Sequence, residues 1–258
     1  MSKSTAVESS TKFEQLLRGS IQLPGVQIDR EGYLRRELKH FCTPDQINQA
    51  VATSPAQAGV SLEVVNKIAA QTIRNEATKV TAISTAAGLP GGFALLGTVP
   101  ADLAQYYGHV LRIVQKLAYI YSWPELFDGD GLDSATENML TLFIGVMFGV
   151  NAAQAGVNKT AAMIAQQMAK TLPQKALTKG TIYPIVKKVS TLLGTRMTTQ
   201  IFAKGASKLV PLVGAALSGG LTFATFLPMA KRLQKHLAGL PLASQEPSII
   251  DADIIEES

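Results

Sequence analysis

An all-α bundle of about seven to nine helices is the fold this sequence predicts, and three observations predict it. Apolar residues recur at three- and four-residue spacing through most of the 258 residues. No extended polar/apolar alternation and no Asn-Gly hairpin signal occurs. Pro and Gly fall between the periodic runs rather than inside short strands, so the runs read as helices punctuated by turns.

Residues 1–12 are rich in Ser and Thr and are expected to be a disordered lead, with one helical domain over 13–240 and an acidic disordered tail over 241–258. A first helix is expected from Lys12 to Ser20, broken at Leu23-Pro24-Gly25, and a second from Glu31 to Phe41. Thr43-Pro44-Asp45 is a start signal, with Thr43 as N-cap and Pro44 in the first helical position. That short helix ends at Ser54-Pro55. Ser61 then caps a long helix carrying Leu62, Val65, Ala69, Thr72, Ile73, Val80 and Ile83 at helical spacing, which stops at Gly88-Leu89-Pro90-Gly91-Gly92.

After Pro100, Leu103, Tyr106, Val110, Ile113, Leu117 and Ile120 form the clearest amphipathic helix of the chain. Asp102, Gln105, His109, Arg112 and Lys116 make a polar stripe along it. Trp123-Pro124 and the Gly-rich loop at Asp128 and Asp130 end it. Further helices are expected over Ser134–Val150, Asn158–Thr171, Pro184–Lys204 and Ser207–Leu237.

Charge is spread unevenly. The net value is +5, and charged residues make up 17% against the quarter or so common in globular domains. Residues 1–137 hold twelve Lys/Arg and fourteen Asp/Glu, residues 138–245 hold twelve Lys/Arg and no acid, and residues 246–258 hold five acids and no base. The middle block cannot neutralise itself. Its counter-charges are the first half, the tail, solvent ions or an anionic partner. The candidate lipid- or anion-binding residues are therefore Lys187, Lys188, Arg196, Lys204, Lys208, Lys231, Arg232 and Lys235.

Three stretches lack formal charge for about twenty residues: Val80–Ala101, Asn138–Asn158 and Leu209–Ala230. That length matches a bilayer core. Internal Gly and Pro make buried helices, or hairpins dipping into one leaflet, the better reading. Gly145 and Gly149, Gly88 and Gly92, and Gly214 with Ser218 keep four-residue spacing, which on a helix leaves a flat stripe for close backbone approach.

Catalytic and metal signatures are missing from the sequence. His40, His109 and His236 form no His-x-x-x-His pair, one cysteine (Cys42) excludes a disulfide framework or a cysteine-rich zinc site, and no Gly-x-Ser-x-Gly elbow or Walker loop occurs. Asp128, Asp130 and Asp133 sit out of register for a calcium loop, which would need Glu where Met139 stands. They read as turn and helix-cap residues. Asp102, His109 and Arg112 on one helical face are a candidate polar network, with Asp102 and His109 the one pair suited to acid–base work. No catalytic residue, metal or cofactor is assigned.

The segment Gly88-Leu89-Pro90-Gly91-Gly92, then Val99-Pro100-Ala101-Asp102-Leu103, and a long helix reaching Leu117-Ala118-Tyr119-Ile120-Tyr121 resembles the EcsC family. So does the later run Lys208 to Gly214 followed by Gly219-Gly220. The likeness spans about residues 60–237. It departs at Tyr121-Ser122, where the family shows Tyr-Gly. It implies a bacterial helical protein, encoded in its founding case beside an ABC transporter, and no catalytic residues.

Three functions stay open. The first is a non-enzymatic protein on the cytoplasmic side of a membrane, peripheral or partly inserted, whose basic half meets anionic lipid and which could contact a membrane protein. The second is a soluble bundle binding a protein or nucleic acid. Aromatics are scarce among the later lysines, which disfavours nucleic acid. The third is a lipid-acting hydrolase using Asp102 and His109. Residues 1–20 lack the apolar run of a signal peptide, which fits a cytoplasmic expectation.

Overall fold

In a computed structural model of the chain, the backbone is described for residues 3–87, 101–127, 132–167, 171–206 and 211–244, and side-chain surroundings for 12–80, 104–127, 132–167, 171–195 and 224–244. Among these residues the chain is all helical: α1 Lys3–Ile21, α2 Arg30–Leu38, α3 Pro44–Ala52, α4 Leu62–Ala87, α5 Ala101–Ile120, α6 Ser134–Met147, α7 Asn151–Gln167, α8 Gln174–Thr178, α9 Tyr183–Ala206 and α10 Pro211–Ala238. A 3-10 turn at Pro241–Ala243 follows. Among the described residues one apolar core includes side chains from Phe13 in α1 to Ala243 after α10.

Local chemistry explains the starts. Thr43 accepts from the Gln46 amide while the Gln46 side chain accepts from the Thr43 amide, a capping box with Pro44 at the first position. Ser61 Oγ accepts from the Val64 amide, and Asp133 Oδ1 accepts from the Thr136 amide at 2.6 Å to cap α6. Asp133 is thus a cap, as the turn reading of that loop expects. Asp128 and Asp130 lie outside the described residues.

Helices α5 and α6 form the centre. From Tyr107 to Pro124 every residue except Arg112 is buried, and in α6 every residue from Ala135 to Met147 except Asn138 is buried. A helix apolar around most of its circumference belongs inside, so the uncharged Asn138–Asn158 stretch is accounted for as far as Met147 by a core helix, and beyond it by a turn and the partly exposed start of α7. Helix α4 packs against α10 and α5, α1 against α9 and α5, and both α9 and α10 pack on α6. Among the described residues no helix is long and apolar enough to cross a membrane.

The boundaries correct the sequence reading in several places: α2 ends at Leu38, not Phe41, α8 lies outside the expected helices, and Pro241–Ala243, expected to begin the disordered tail, forms a 3-10 turn with Ala243 buried. Helix α1 begins at Lys3, not Lys12: once Phe13, Leu16, Leu17 and Ile21 anchor it in the core, extending it through the Ser/Thr-rich lead costs little. Helix α6 stops at Met147, not Val150, and α7 begins at Asn151, not Asn158. Gly149 causes this. It takes φ +71°, and its amide and that of Val150 bond back to Val146 and Gly145 in a Schellman closure. Gly145 and Gly149 therefore do not form the expected stripe on one helix. Only Gly145 packs as anticipated, with Ala153 and Val189 against its missing side chain. Gly88 and Gly92 lie outside the described residues, as do the surroundings of Gly214.

Helix α5 closes in the same way, but with a serine. Ser122 has φ 70°, its amide bonds to Tyr119 and that of Trp123 to Ala118. A non-glycine residue there is strained. The hydroxyl compensates by accepting from the buried Ala56 amide at 3.0 Å, tying α5 to the loop between α3 and α4. Ser122→Ala keeps the strain and orphans that amide, so it should lower stability by about 1–3 kcal/mol in chemical denaturation. Ser122→Gly relieves the strain while losing the same bond, and should cost less than the alanine variant.

Candidate functional site

Two regions carry the candidate residues, a buried ionic cluster and a set of surface lysines.

The cluster centres on Glu76, a residue of α4 that the sequence reading did not single out. Its neighbours Ile73, Ala77 and Val80 are core residues, and Glu76 itself is 0% exposed. Its Oε1 lies 3.0 Å from His109 Nδ1 and accepts from Arg112 Nε at 2.9 Å, while Oε2 accepts from Lys116 Nζ at 2.7 Å. Three residues of the predicted polar stripe on α5 thus converge on one carboxylate. Asp102 lies in α5, but its side chain is outside the described residues, and Gln105 is exposed.

Burial alone would push the Glu76 carboxyl up. The His109 hydrogen bond and the charges of Lys116 and Arg112 outweigh it and hold the carboxyl well below the usual carboxylate range. Burial pulls Lys116 down, partly offset by Glu76. Arg112 also donates to the Gly25 carbonyl, which fixes the turn between α1 and α2. The signal for Glu76 was in the spacing: it falls three residues after Ile73 and four before Val80, on the apolar stripe of α4. An acid in that stripe needs a partner, and the basic stripe of α5 is the matching half.

This arrangement fixes three basic side chains on one buried carboxylate. Among the described residues no cluster of His, Cys, Asp and Glu could hold a metal ion. Cys42 is partly buried, and burial pushes its thiol up, away from the reactive thiolate.

The surface set is divided between two helices. Lys187 and Lys188 are exposed on α9, Lys231 and Lys235 on α10. Lys187 lies 4.9 Å from the centre of the Tyr183 ring. Among the described residues, none of these four lysines pairs with a carboxylate. Arg232 differs, because its guanidinium donates to the Met147 carbonyl at 2.7 Å, beside Gly149, and closes the end of α6. Arg196 and Lys204 lie in α9 with side chains outside the described residues, and Lys208 lies outside them altogether.

Among the described residues, four carboxylates of the first half form ion pairs within that half, and two cap helices. Glu76 takes His109, Arg112 and Lys116, Glu31 pairs with Arg35, Glu37 with Arg36, and Glu137 with Arg18. Asp29 and Asp133 cap α2 and α6. No family model, curated protein or solved structure matches this chain.

Proposed function

We propose that this protein adheres reversibly to an anionic membrane surface, on the cytoplasmic side, through the exposed cations of α9 and α10. The observation that carries this reading is the state of Lys187, Lys188, Lys231 and Lys235, exposed and unmatched by carboxylates among the described residues, in a segment that has no acid of its own. A second observation favours lipid over other anions. Among the described residues Leu192 stands out as a large apolar side chain left 39% exposed, and it sits one turn from Lys188 on α9. Arg196 occupies the next position of that row. A single leucine between cations suits shallow contact with headgroups, not insertion.

Magnitude limits the claim. Each Lys or Arg near an anionic leaflet contributes on the order of 1 kcal/mol. The two lysines of one helix therefore give about 2 kcal/mol. All four give about 4 kcal/mol, a dissociation constant near 1 mM, when α9 and α10, which both pack on α6, meet one leaflet together. Micromolar binding needs the further cations Arg196, Lys204 and Lys208 on the same surface.

The acidic tail is part of the proposal, as an intramolecular competitor for the lysines. Co-sedimentation with phosphatidylserine-containing vesicles should show binding that about 1 M salt reverses. Removing residues 246–258 should tighten that binding several-fold. Retention through high salt argues against surface electrostatics, and unchanged or weaker binding after truncation contradicts the competitor role.

A further inference from the structure

We propose that the cleft between α2, α4 and α5 binds a phosphate monoester of a small alcohol. The cleft has a volume of about 470 Å³. That is room for a small molecule larger than a bare ion. Its walls are polar: Ile28 and the ring of Tyr33 are the apolar contributions. An aromatic or acyl ligand finds little to cover it there, and a compact anion finds much.

Four cations line the space: Arg36 from α2, Lys79 from α4, and Arg112 and Lys116 from α5. The two carboxylates of the lining are engaged, Asp29 accepting from the Gly32 amide and Glu37 from Arg36. Lys79 forms no ion pair among the described residues. Lys116 is 7% exposed, and one of its three N–H donors is directed to Glu76, leaving two for a ligand.

Glu76 gives this wall its rigidity. Fully buried beneath the cleft, it holds Arg112 Nε and Lys116 Nζ against its two oxygens, so both cations are fixed before a ligand arrives. Even with Glu76 counted, Lys79, Arg112 and Lys116 leave an excess of positive charge on that side. Two fixed cations of α5, with Lys79 of α4 and Arg36 of α2 across the same cleft, suit a tetrahedral dianion better than a flat carboxylate, which one guanidinium fork would satisfy. The proposal is independent of the membrane reading, because these residues lie on other helices than the α9 and α10 lysines.

Titration calorimetry of the full chain at constant ionic strength, with inorganic phosphate and with glycerol 3-phosphate, tests it. Saturable one-to-one binding is expected, tighter for the ester. Lys79→Glu, an exposed change that leaves the core alone, should weaken it at least tenfold, while Lys159→Glu, an equal charge change on α7, should not. Absence of saturable binding to either ligand overturns the proposal, as does equal affinity in Lys79→Glu and the unaltered chain. A parallel arm with phosphatidic acid vesicles identifies the source. Lys79-dependent binding to vesicles that exceeds the soluble ester assigns the cleft to a lipid headgroup, and the reverse assigns it to a soluble ester.

Discussion

Replacing Glu76 by alanine should destabilise the fold by about 3–5 kcal/mol, the cost of stranding buried charge when one partner is removed. For a domain of this size that is a fall of roughly 10 °C or more in Tm. Lys116 is 7% exposed and would lose its acceptor, and His109 and Arg112 would lose theirs. Adding Lys116→Met should recover part of the loss, since an apolar group of similar length fills the space without needing a counter-charge. Recovery is the decisive outcome. If the double variant is no more stable than Glu76→Ala, uncompensated charge is not the cause.

The same cluster sets an acid response. In the unfolded chain a glutamate takes up its proton near pH 4.3, whereas native Glu76 resists protonation to well below that. Below this pH the unfolded state binds more protons, so stability falls as pH drops. Glu137 contributes with the opposite sign, because burial pushes its carboxyl up despite the Arg18 charge. Glu76 has three basic partners and Glu137 one, so a net loss below about pH 4.5 is expected. Glu76→Gln should flatten that part of a denaturation-versus-pH curve.

Gly145→Val should be the second severe change, costing about 3 kcal/mol or more. A Cβ built at Gly145 falls 2.6 Å from Ala153 Cβ and 2.6 Å from Val189 Cγ1, both atoms tied closely to their own backbones. Neither can swing away as the end of a long side chain could. Helices α6, α7 and α9 would have to separate. Gly19→Ala is the matched comparison: nothing lies within 4 Å of a Cβ there, and helix propensity predicts a gain of up to about 1 kcal/mol. Opposite signs at two helical glycines would show that Gly145 is a packing residue. A loss at both would point to glycine chemistry in general.

These expectations mark how far the sequence could be read. The helical class, the caps at Thr43, Ser61 and Asp133, and the polar stripe that carries His109 and Arg112 on α5 were legible because each depends on local spacing. Glu76 was missed because its partners lie 33 to 40 residues away on another helix, and spacing within α4 shows an acid on an apolar face without showing what meets it. The Gly145/Gly149 pair misled for a related reason. Four-residue spacing is a helical signal only while the helix lasts, and Gly149 ends it. Arg232 shows the limit of charge counting, since a cation in an acid-free segment can be committed to a backbone carbonyl.

The claim most exposed to refutation is that the lysines of α9 and α10 meet anionic lipid. Partition onto vesicles with and without phosphatidylserine should be measured for the unaltered chain and for the combined Lys187→Glu, Lys188→Glu, Lys231→Glu and Lys235→Glu variant. Simple loss of four attractions of about 1 kcal/mol each predicts a fall of several hundred-fold on anionic vesicles, with no binding to neutral ones. Equal binding to neutral and anionic vesicles, or a folded variant that partitions like the unaltered chain, would contradict the account.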